Sequence, residues 1–373
     1  MQFALEGDWT FVDEFARIRY WTSERQSVDW QLARGVALGI GDDAAVLDFG
    51  IAQDGIIGER RQLLVSDTMV EQIHFAGHTM KDEHIGYKAL AANVSDIAAM
   101  GGVPLHAVVS VCVPPSCGPE RVKRIYDGLY ACAEQYGVAI VGGDTTSSPA
   151  HLVISIALTG AVEAGKEMVR SGAQPGDAVF VTGPVGMSAA GLHMLQAAVS
   201  DKPYSALVGD PSYRALLVAH QQPSPSVLAG RLLLRSGICH SLNDVSDGLA
   251  SEAWEIAEAS SLRVVLDERS LPKSGSMSAY ASQAGANPLD WMLYGGEDYV
   301  LIGTIDTHGA AAVKSEFQRH GLPFYVIGMT EEGSPGVELI PLPRRWDGSG
   351  SKAAEETLPR MTLPKRGFNH FGT

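Results

Sequence analysis

Six short stretches place carboxylates beside glycine, serine or threonine: Gly41-Asp42-Asp43, Ser66-Asp67-Thr68, the segment around Asp96, Gly143-Asp144-Thr145-Thr146, Asp244-Val245-Ser246-Asp247-Gly248 and Gly295-Gly296-Glu297-Asp298. Each alone has an ordinary structural use. Asp247 before a helix reads as an N-cap, Gly143-Asp144 as a turn, and Glu297 as the start of a strand. Together they suit a different chemistry. Hard divalent cations take several oxygen ligands, and magnesium is held by a few carboxylates plus substrate phosphates. Small neighbours let a metal and a polyphosphate come close to the backbone. The adjacent charges of Asp42 and Asp43 repel each other, which a cation between them would relieve.

The charge balance agrees. The chain has 373 residues and a formal net charge of −15, which argues against nucleic acid or an anionic membrane as partner. A polyphosphate would have to be held through bridging metal ions. The first residues, MQFALEGDWTFVDEF, show neither a basic segment nor a long apolar run, and nowhere is there a stretch of ~18 apolar residues, so a cytoplasmic protein is expected. The 4 cysteines (Cys112, Cys117, Cys132 and Cys239) lack zinc-ligand spacing and read as reduced thiols.

The elements that must position these acids follow from periodicity. Residues 11–22 carry a short helical pattern, and 44–49 and 62–67 read as strands. If those strands pair as a hairpin, Asp42, Asp43 and Asp67 meet at one end of the ladder. Residues 82–100 form a helix stopped by Gly101-Gly102, with Asn93 and Asp96 one turn apart on the same side. A strand over 103–113, a helix over 120–136, a strand over 138–141 running into GGDTTSSP and a strand from His151 to Glu163 complete the first half. The pattern relaxes near 163–175, giving expected domains of 1–163 and 164–373. The second half alternates strands and helices, with a polar stretch over 200–225, a Ser/Gly-rich loop before the helix at 287–295, a strand over 297–305 and an irregular segment after 331. Mixed strand–strand and strand–helix connections suggest two α+β or α/β layers rather than a TIM barrel.

Other phosphate and hydrolase motifs are absent: no GxxxxGK[ST], HExxH, GxSxG or calcium loop occurs. Asp48-Phe49-Gly50 spells the DFG of protein kinases without the HRD loop or the strand lysine, a chance match.

GIGDDAAVL (39–47), SDTMVEQIHF (66–75), YKALAANVSDIAAMGG (87–102), VGGDTTSSP (141–149), RSGAQPGD (170–177), DVSDGL (244–249), YGGEDYVL (294–301) and GFNHF (367–371) resemble, in order and spacing, the motifs of thiamine-monophosphate kinases. The resemblance covers nearly the whole chain. It implies ATP-dependent phosphorylation of thiamine monophosphate to thiamine diphosphate, the last step of thiamine diphosphate biosynthesis. It also implies a two-domain aminoimidazole ribonucleotide synthetase-like fold. In that fold the N-terminal domain binds ATP and magnesium and its sheet forms a dimer barrel, while a C-terminal α/β domain carries a substrate-contacting tail. By position, Asp43, Ser66, Asp67, Asp96, Asp144, Asp244 and Asp247 would be the ligands of several magnesium ions. Gly143, Asp144, Arg170 and Ser246 would contact ATP, with Tyr126 beside the adenine. His74, Glu297 and Phe368 would hold the thiamine end. Asp43, Asp67, Asp144, Asp247 and Arg170 would carry catalysis.

Two positions depart from the family pattern: Val65 stands where a hydroxyl residue often does, and Ser147-Ser148 replace a frequent Arg-Gly. The acceptor is itself a phosphate monoester, whose second pKa of about 6 leaves a nucleophilic oxygen at neutral pH. Direct in-line transfer without a general base or a phosphoenzyme is therefore expected. Related ATP-using enzymes remain as alternatives. Selenophosphate synthetases need an N-terminal reactive cysteine, and the hydrogenase-maturation relatives end in one; this chain has neither. A non-catalytic nucleotide- or metal-binding relative is the alternative from a different class.

Overall fold

A computed structural model describes residues 20–23, 25–38, 46–47, 60–201, 211–342 and 359–368. By contacts they fall into two units: up to Val94 with Val103–Ala164, and Ser95–Gly102 with Gly165 onward.

The first unit is built on a 4-stranded sheet of order β3-β6-β4-β5. Its strands are β3 (Arg60–Val70), β4 (Val103–Val113), β5 (Ala139–Ser147) and β6 (Val153–Glu163). The ladder of β3 with β6 runs from Arg60↔Glu163 to Val70↔Val153 without interruption. Strand alternation explains the layering. Ile154, Ile156 and Leu158 are buried, while Ser155, Ala157 and Thr159 between them are half-exposed. Helix α2 (Asp82–Ala99) is buried continuously from Ile85 to Val94, mostly by apolar side chains but with Lys88 and Asn93 sequestered among them. Helix α3 (Pro119–Tyr136) is amphipathic, burying Val122, Ile125, Tyr126, Leu129 and Ala133, and it stops at Gly137 in the left-handed region.

The expected hairpin of 44–49 with 62–67 is not what forms among the described residues. The short strand β2 (Val46–Leu47) pairs instead with β1 (Val36–Leu38), which follows α1 (Val28–Leu32). The edge strand β3 pairs with β6 because β6 offers an alternating partner of equal length; cross-strand contacts reward the longer ladder whatever the sequence separation. The sheet is open, with no closed barrel among the described residues.

The second unit carries a 7-stranded sheet of order β13-β12-β9-β11-β7-β10-β8. Its strands are β7 (Ala178–Val181), β8 (Cys239–Asp244), β9 (Arg263–Asp267), β10 (Leu301–Ile305), β11 (Tyr325–Glu331), β12 (Gly336–Ile340) and β13 (Met361–Thr362). Only β9 and β12 run parallel. The helices are α4 (Met187–Asp201), α5 (Pro211–Gln221), α6 (Val227–Ser236), α7 (Leu249–Ser260), α8 (Gly275–Ala284), α9 (Pro288–Tyr294) and α10 (Ala310–Arg319). One apolar core joins Val179, Val181, Leu249, Ile256, Met292 and Ile302.

Several expectations change here. The polar stretch contains α5, and the Ser/Gly-rich loop contains α8, started by the Ser274 side chain accepting from the Met277 amide. The irregular end contributes β12 and β13. No described helix is long and apolar enough to cross a membrane.

His106 on β4 links two parts of the first unit. Its Nε2 lies 2.6 Å from the Arg34 carbonyl and its Nδ1 3.2 Å from the Thr159 hydroxyl. The carbonyl can only accept, so Nε2 carries the proton and Nδ1 accepts. Burial lowers its pKa, against an opposing pull from the Arg34 carbonyl. The unfolded chain therefore binds more protons below pH ~6.5, and the stability due to the neutral ring is lost as pH falls through that value toward the folded one. His106→Asn is expected to be less stable at pH 7.5 but to lose less stability than the native chain between pH 6.5 and 5. Urea denaturation at each pH measures this, and equal pH slopes in the two proteins would contradict it.

Candidate active site

In the first unit, Ser66 and Asp67 lie within β3 rather than at its end. The Asp67 amide donates to the Asn93 Oδ1 of α2 at 3.1 Å, while the Asn93 Nδ2 donates to Ala89. A fully buried asparagine thus fixes the strand that carries two expected ligands. His74 stands in the turn after β3, its Nδ1 accepting from the Val70 amide at 2.9 Å. That bond commits one imidazole nitrogen to the turn itself.

The Gly143-Asp144 pair is strand, not turn: β5 continues to Ser147 after a register shift opposite Val108. Asp144 is exposed, and its Oδ1 accepts from the Thr145 amide. Asp144 pairs with Ser110, one position from the Val109–Ile156–Asp67 row. With strands about 4.8 Å apart, the two acids sit roughly 14 Å apart on opposite edges of the sheet. Tyr126 is buried, with the Trp21 ring stacked at 5.9 Å, and burial raises its hydroxyl pKa. Asp42 and Asp43 lie outside the described residues. Among the described residues no three His, Cys, Asp or Glu side chains converge as a metal-binding group.

The second unit brings more of the expected residues together. Asp244 closes β8 and is buried, its Oδ2 accepting from the Ser95 hydroxyl at 2.7 Å. Asp96 is the next residue along α2. After Asp244 the chain turns through Val245-Ser246-Asp247-Gly248 into α7, and two distant segments bind that turn by backbone hydrogen bonds. The Glu297 amide donates to the Ser246 carbonyl at 2.6 Å and the Tyr299 amide to that of Val245 at 2.9 Å. The Phe368 amide donates to the Asp247 carbonyl at 3.1 Å. Asp247, Glu297 and Phe368, far apart in sequence, are thereby neighbours along one turn.

Two glycines permit the approach. A Cβ on Gly296 would lie 2.4 Å from the Ser246 oxygen, and one on Gly367 2.4 Å from that of Asp247. Residues 297–300 are consequently not the expected strand. Glu297 (φ 68) and Tyr299 (φ 51) take left-handed conformations that side chains rarely adopt. Neighbouring groups hold them there. The buried Asp298 accepts from the Gly186 and Ser188 amides at the start of α4, at 2.5 and 3.0 Å. Burial pushes its pKa up to about 7 even though those amides favour the anion. Glu297 lies 3.5 Å from the Nδ1 of His220 on α5, which also meets the Ser188 hydroxyl at 3.1 Å.

The tail is anchored well before Phe368. Leu363 is buried, its amide donating to Val337 and its carbonyl accepting from the Trp254 indole. Arg366 lies over the Tyr294 ring. Phe368 itself remains 47% exposed.

Arg170 is held through Asn243: its Nε donates to the Asn243 Oδ1 at 3.0 Å and its Nη1 pairs with Glu255 at 3.0 Å. The Asn243 Nδ2 in turn donates to Glu252, which also accepts from the Asp247 amide. Burial first, then the Asp244 and Glu255 carboxylates, push the Glu252 pKa up to about 9. Glu252, Asn243 and His220 were not among the residues singled out from sequence, and Asp298 stood out only as a member of the Gly295–Asp298 stretch, with no role of its own. Glu252 had a signal, an acid one turn into a helix that opens on Asp-Gly; His220 had none.

Comparison with known proteins fits this geometry. Residues 41–162 match the family model of the AIR synthase related protein, N-terminal domain, and residues 174–340 that of its C-terminal domain. A thiamine-monophosphate kinase of Bacillus subtilis (strain 168) is 37% identical over 338 residues, covering 90% of this chain and 94% of the relative. The solved thiamine-monophosphate kinase of Stenotrophomonas maltophilia K279a superposes with a TM-score of 0.73 at 30% identity, covering 84% of this chain and 95% of that one. The structure of AaThiL complexed with AMPPCP and TMP gives a TM-score of 0.66 at 31% identity, covering 75% and 84%. Both halves match the paired AIR synthase related domains, and the nearly full-length likeness is to kinases of one kind: the chain belongs to the thiamine-monophosphate kinase family.

Proposed function

We propose that this protein transfers the γ-phosphoryl group of ATP to the phosphate of thiamine monophosphate, giving thiamine diphosphate and ADP. The observation that carries the reading is the backbone latch joining the DVSDG turn to the GGED and Gly367-Phe368 segments, in a chain that belongs to this family. It puts Glu297 and Phe368, proposed to hold the thiamine end with His74, beside Asp247, proposed to act on the phosphates.

The acceptor needs no general base, since its dianion is populated above pH ~6. An oxygen of that dianion attacks the γ-phosphorus in line, and the bond to the ADP oxygen breaks as the new P–O bond forms. The protein's task is to hold two polyanions together and offset their charge. Arg170 and the Ser246 and Gly143 backbone are proposed to contact ATP, in a domain division of 1–163 and 164–373. Ser66, Asp67, Asp96, Asp144, Asp244 and Asp247, with Asp43, are proposed to hold magnesium; these are hard oxygen donors, as that cation demands. Magnesium bound there would neutralise phosphate charge. With Asp67 and Asp144 on opposite sheet edges, substrate phosphates would complete the coordination.

We also propose a homodimer made through the open face of the four-stranded sheet. Leu64 is 72% and Val108 40% exposed, and the register places both on the same face. Leu64→Asp is expected to halve the mass measured by sedimentation; an unchanged mass would contradict this interface.

Incubation with ATP, magnesium and thiamine monophosphate is expected to yield thiamine diphosphate, and chelation of magnesium to abolish it. Tight nucleotide binding without product would instead favour a non-catalytic relative. Gly367→Ala, which would drive the tail off the Asp247 carbonyl, is expected to raise KM for thiamine monophosphate about tenfold, the equivalent of one lost contact of ~1.4 kcal/mol. Its KM for ATP should change less. Equal effects on both substrates would contradict a thiamine-side role for the tail.

A further inference from the structure

Glu252 lies on α7 and is only 2% exposed. Its two oxygens nevertheless serve two parts of the site. Oε1 accepts from the Asp247 amide at 3.0 Å and from the Ser246 hydroxyl at 3.5 Å. Oε2 accepts from the Asn243 Nδ2 at 2.5 Å. The same amide group reaches Glu255 at 3.2 Å, and the Asn243 Oδ1 accepts from the Arg170 Nε. Asn243 is 2% exposed, so its amide orientation is set by these partners rather than by water. The Arg170 side chain, by contrast, is 56% exposed.

We infer that Glu252 is a positioning residue for phosphoryl transfer, fixing the Ser246-Asp247 turn with one oxygen and, through the Asn243 amide, the direction of Arg170 with the other. The inference rests on the proposed reading of Arg170 and Ser246 as ATP contacts. An acid placed there only to start the helix would satisfy the Asp247 amide and stop. The second oxygen has a different consequence: by taking the amide NH2 it turns the Asn243 oxygen toward Arg170. A carboxyl group on α7 thus contributes, beside the direct pairing of Arg170 with Glu255, to which way a guanidinium on a separate segment is held.

The chain of donors and acceptors makes the idea testable by reversing its polarity. In Glu252→Gln the carboxamide oxygen can still accept from the Asp247 amide, but its NH2 then faces the NH2 of Asn243. Asn243 then either keeps its NH2 on Glu255 alone, against the new NH2, or turns over and presents NH2 to Arg170; either way the link to Arg170 is weakened. In the double variant Glu252→Gln/Asn243→Asp the new carboxamide NH2 donates to one oxygen of the new carboxylate. The other oxygen of that carboxylate accepts from Arg170, restoring the chain.

The experiment measures binding of the non-hydrolysable analogue AMPPCP by calorimetry, together with KM for ATP, KM for thiamine monophosphate and kcat. A charge-assisted hydrogen bond in a buried chain is worth about tenfold or more in affinity. Glu252→Gln is expected to weaken AMPPCP binding and raise KM for ATP by about that factor, leaving KM for thiamine monophosphate within about twofold. The double variant should recover part of the loss, the Glu255 carboxylate 3.2 Å from the position 243 side chain opposing the rest. Asn243→Asp alone, which places a carboxylate between Glu252 and Glu255, gives a second reading if Glu252→Gln folds poorly: with three acids in contact instead of two, it should be worse than the double variant. Unchanged nucleotide affinity in Glu252→Gln, or a double variant no better than either single one, would overturn the inference. Failure of the native chain to form thiamine diphosphate while binding AMPPCP would refute the proposed activity and leave the binding comparison readable.

Discussion

The second unit's site depends on a set of backbone hydrogen bonds converging on one turn. The carbonyls of Val245, Ser246 and Asp247 accept from Tyr299, Glu297 and Phe368 respectively. Backbone bonds of this kind demand close approach, and close approach demands glycine where the chains cross, at 296 and 367. They also force Glu297 and Tyr299 into left-handed conformations, a cost of order 1–3 kcal/mol each that the surroundings must offset. The buried Asp298 between them, bonded to the start of α4, is placed to supply that restraint. Strain at such a point fits a site whose side chains must be held in fixed directions.

Electrostatics set the second constraint. An acidic chain asked to hold phosphate must separate its carboxylates by task. Asp144 is exposed and open to a ligand, Asp244 is buried with one oxygen bonded by Ser95, and Glu252 is buried with its oxygens taken by Asn243 and the Asp247 amide. Glu252 is pulled two ways: burial and its acidic neighbours favour the protonated form, while the Asp247 amide favours the anion. Arg170 lies one residue beyond it, joined through Asn243. Carboxylates of the same type thus fill different roles according to burial and partner.

Much of this was legible in the sequence where the signal is local. The helix over 82–99 and the strand over 103–113 follow from periodicity and a double-glycine stop, and the DVSDG, GGED and GF segments stand out by composition. What was not legible is nonlocal. No pattern within 44–49 or 62–67 says that β3 prefers β6, over eighty residues away, to its neighbour in sequence. Helix α8 hides behind Ser and Gly, because a side-chain cap at Ser274 and a left-handed stop at Gly285 outweigh weak intrinsic propensity. The stretch 297–300 reads as a strand by residue type, yet its amides are spent on another segment's carbonyls. Asn243 and His220 gain meaning only from what folding puts beside them.

In the proposed mechanism the protein positions two phosphates for a single displacement, with no covalent intermediate on the chain. The stereochemical course at phosphorus tests it most directly, using ATP made chiral at the γ-position by oxygen isotopes and analysing the thiamine diphosphate formed. Net inversion is the result expected of one in-line transfer. Net retention would mean two displacements through a phosphorylated residue and would contradict direct transfer.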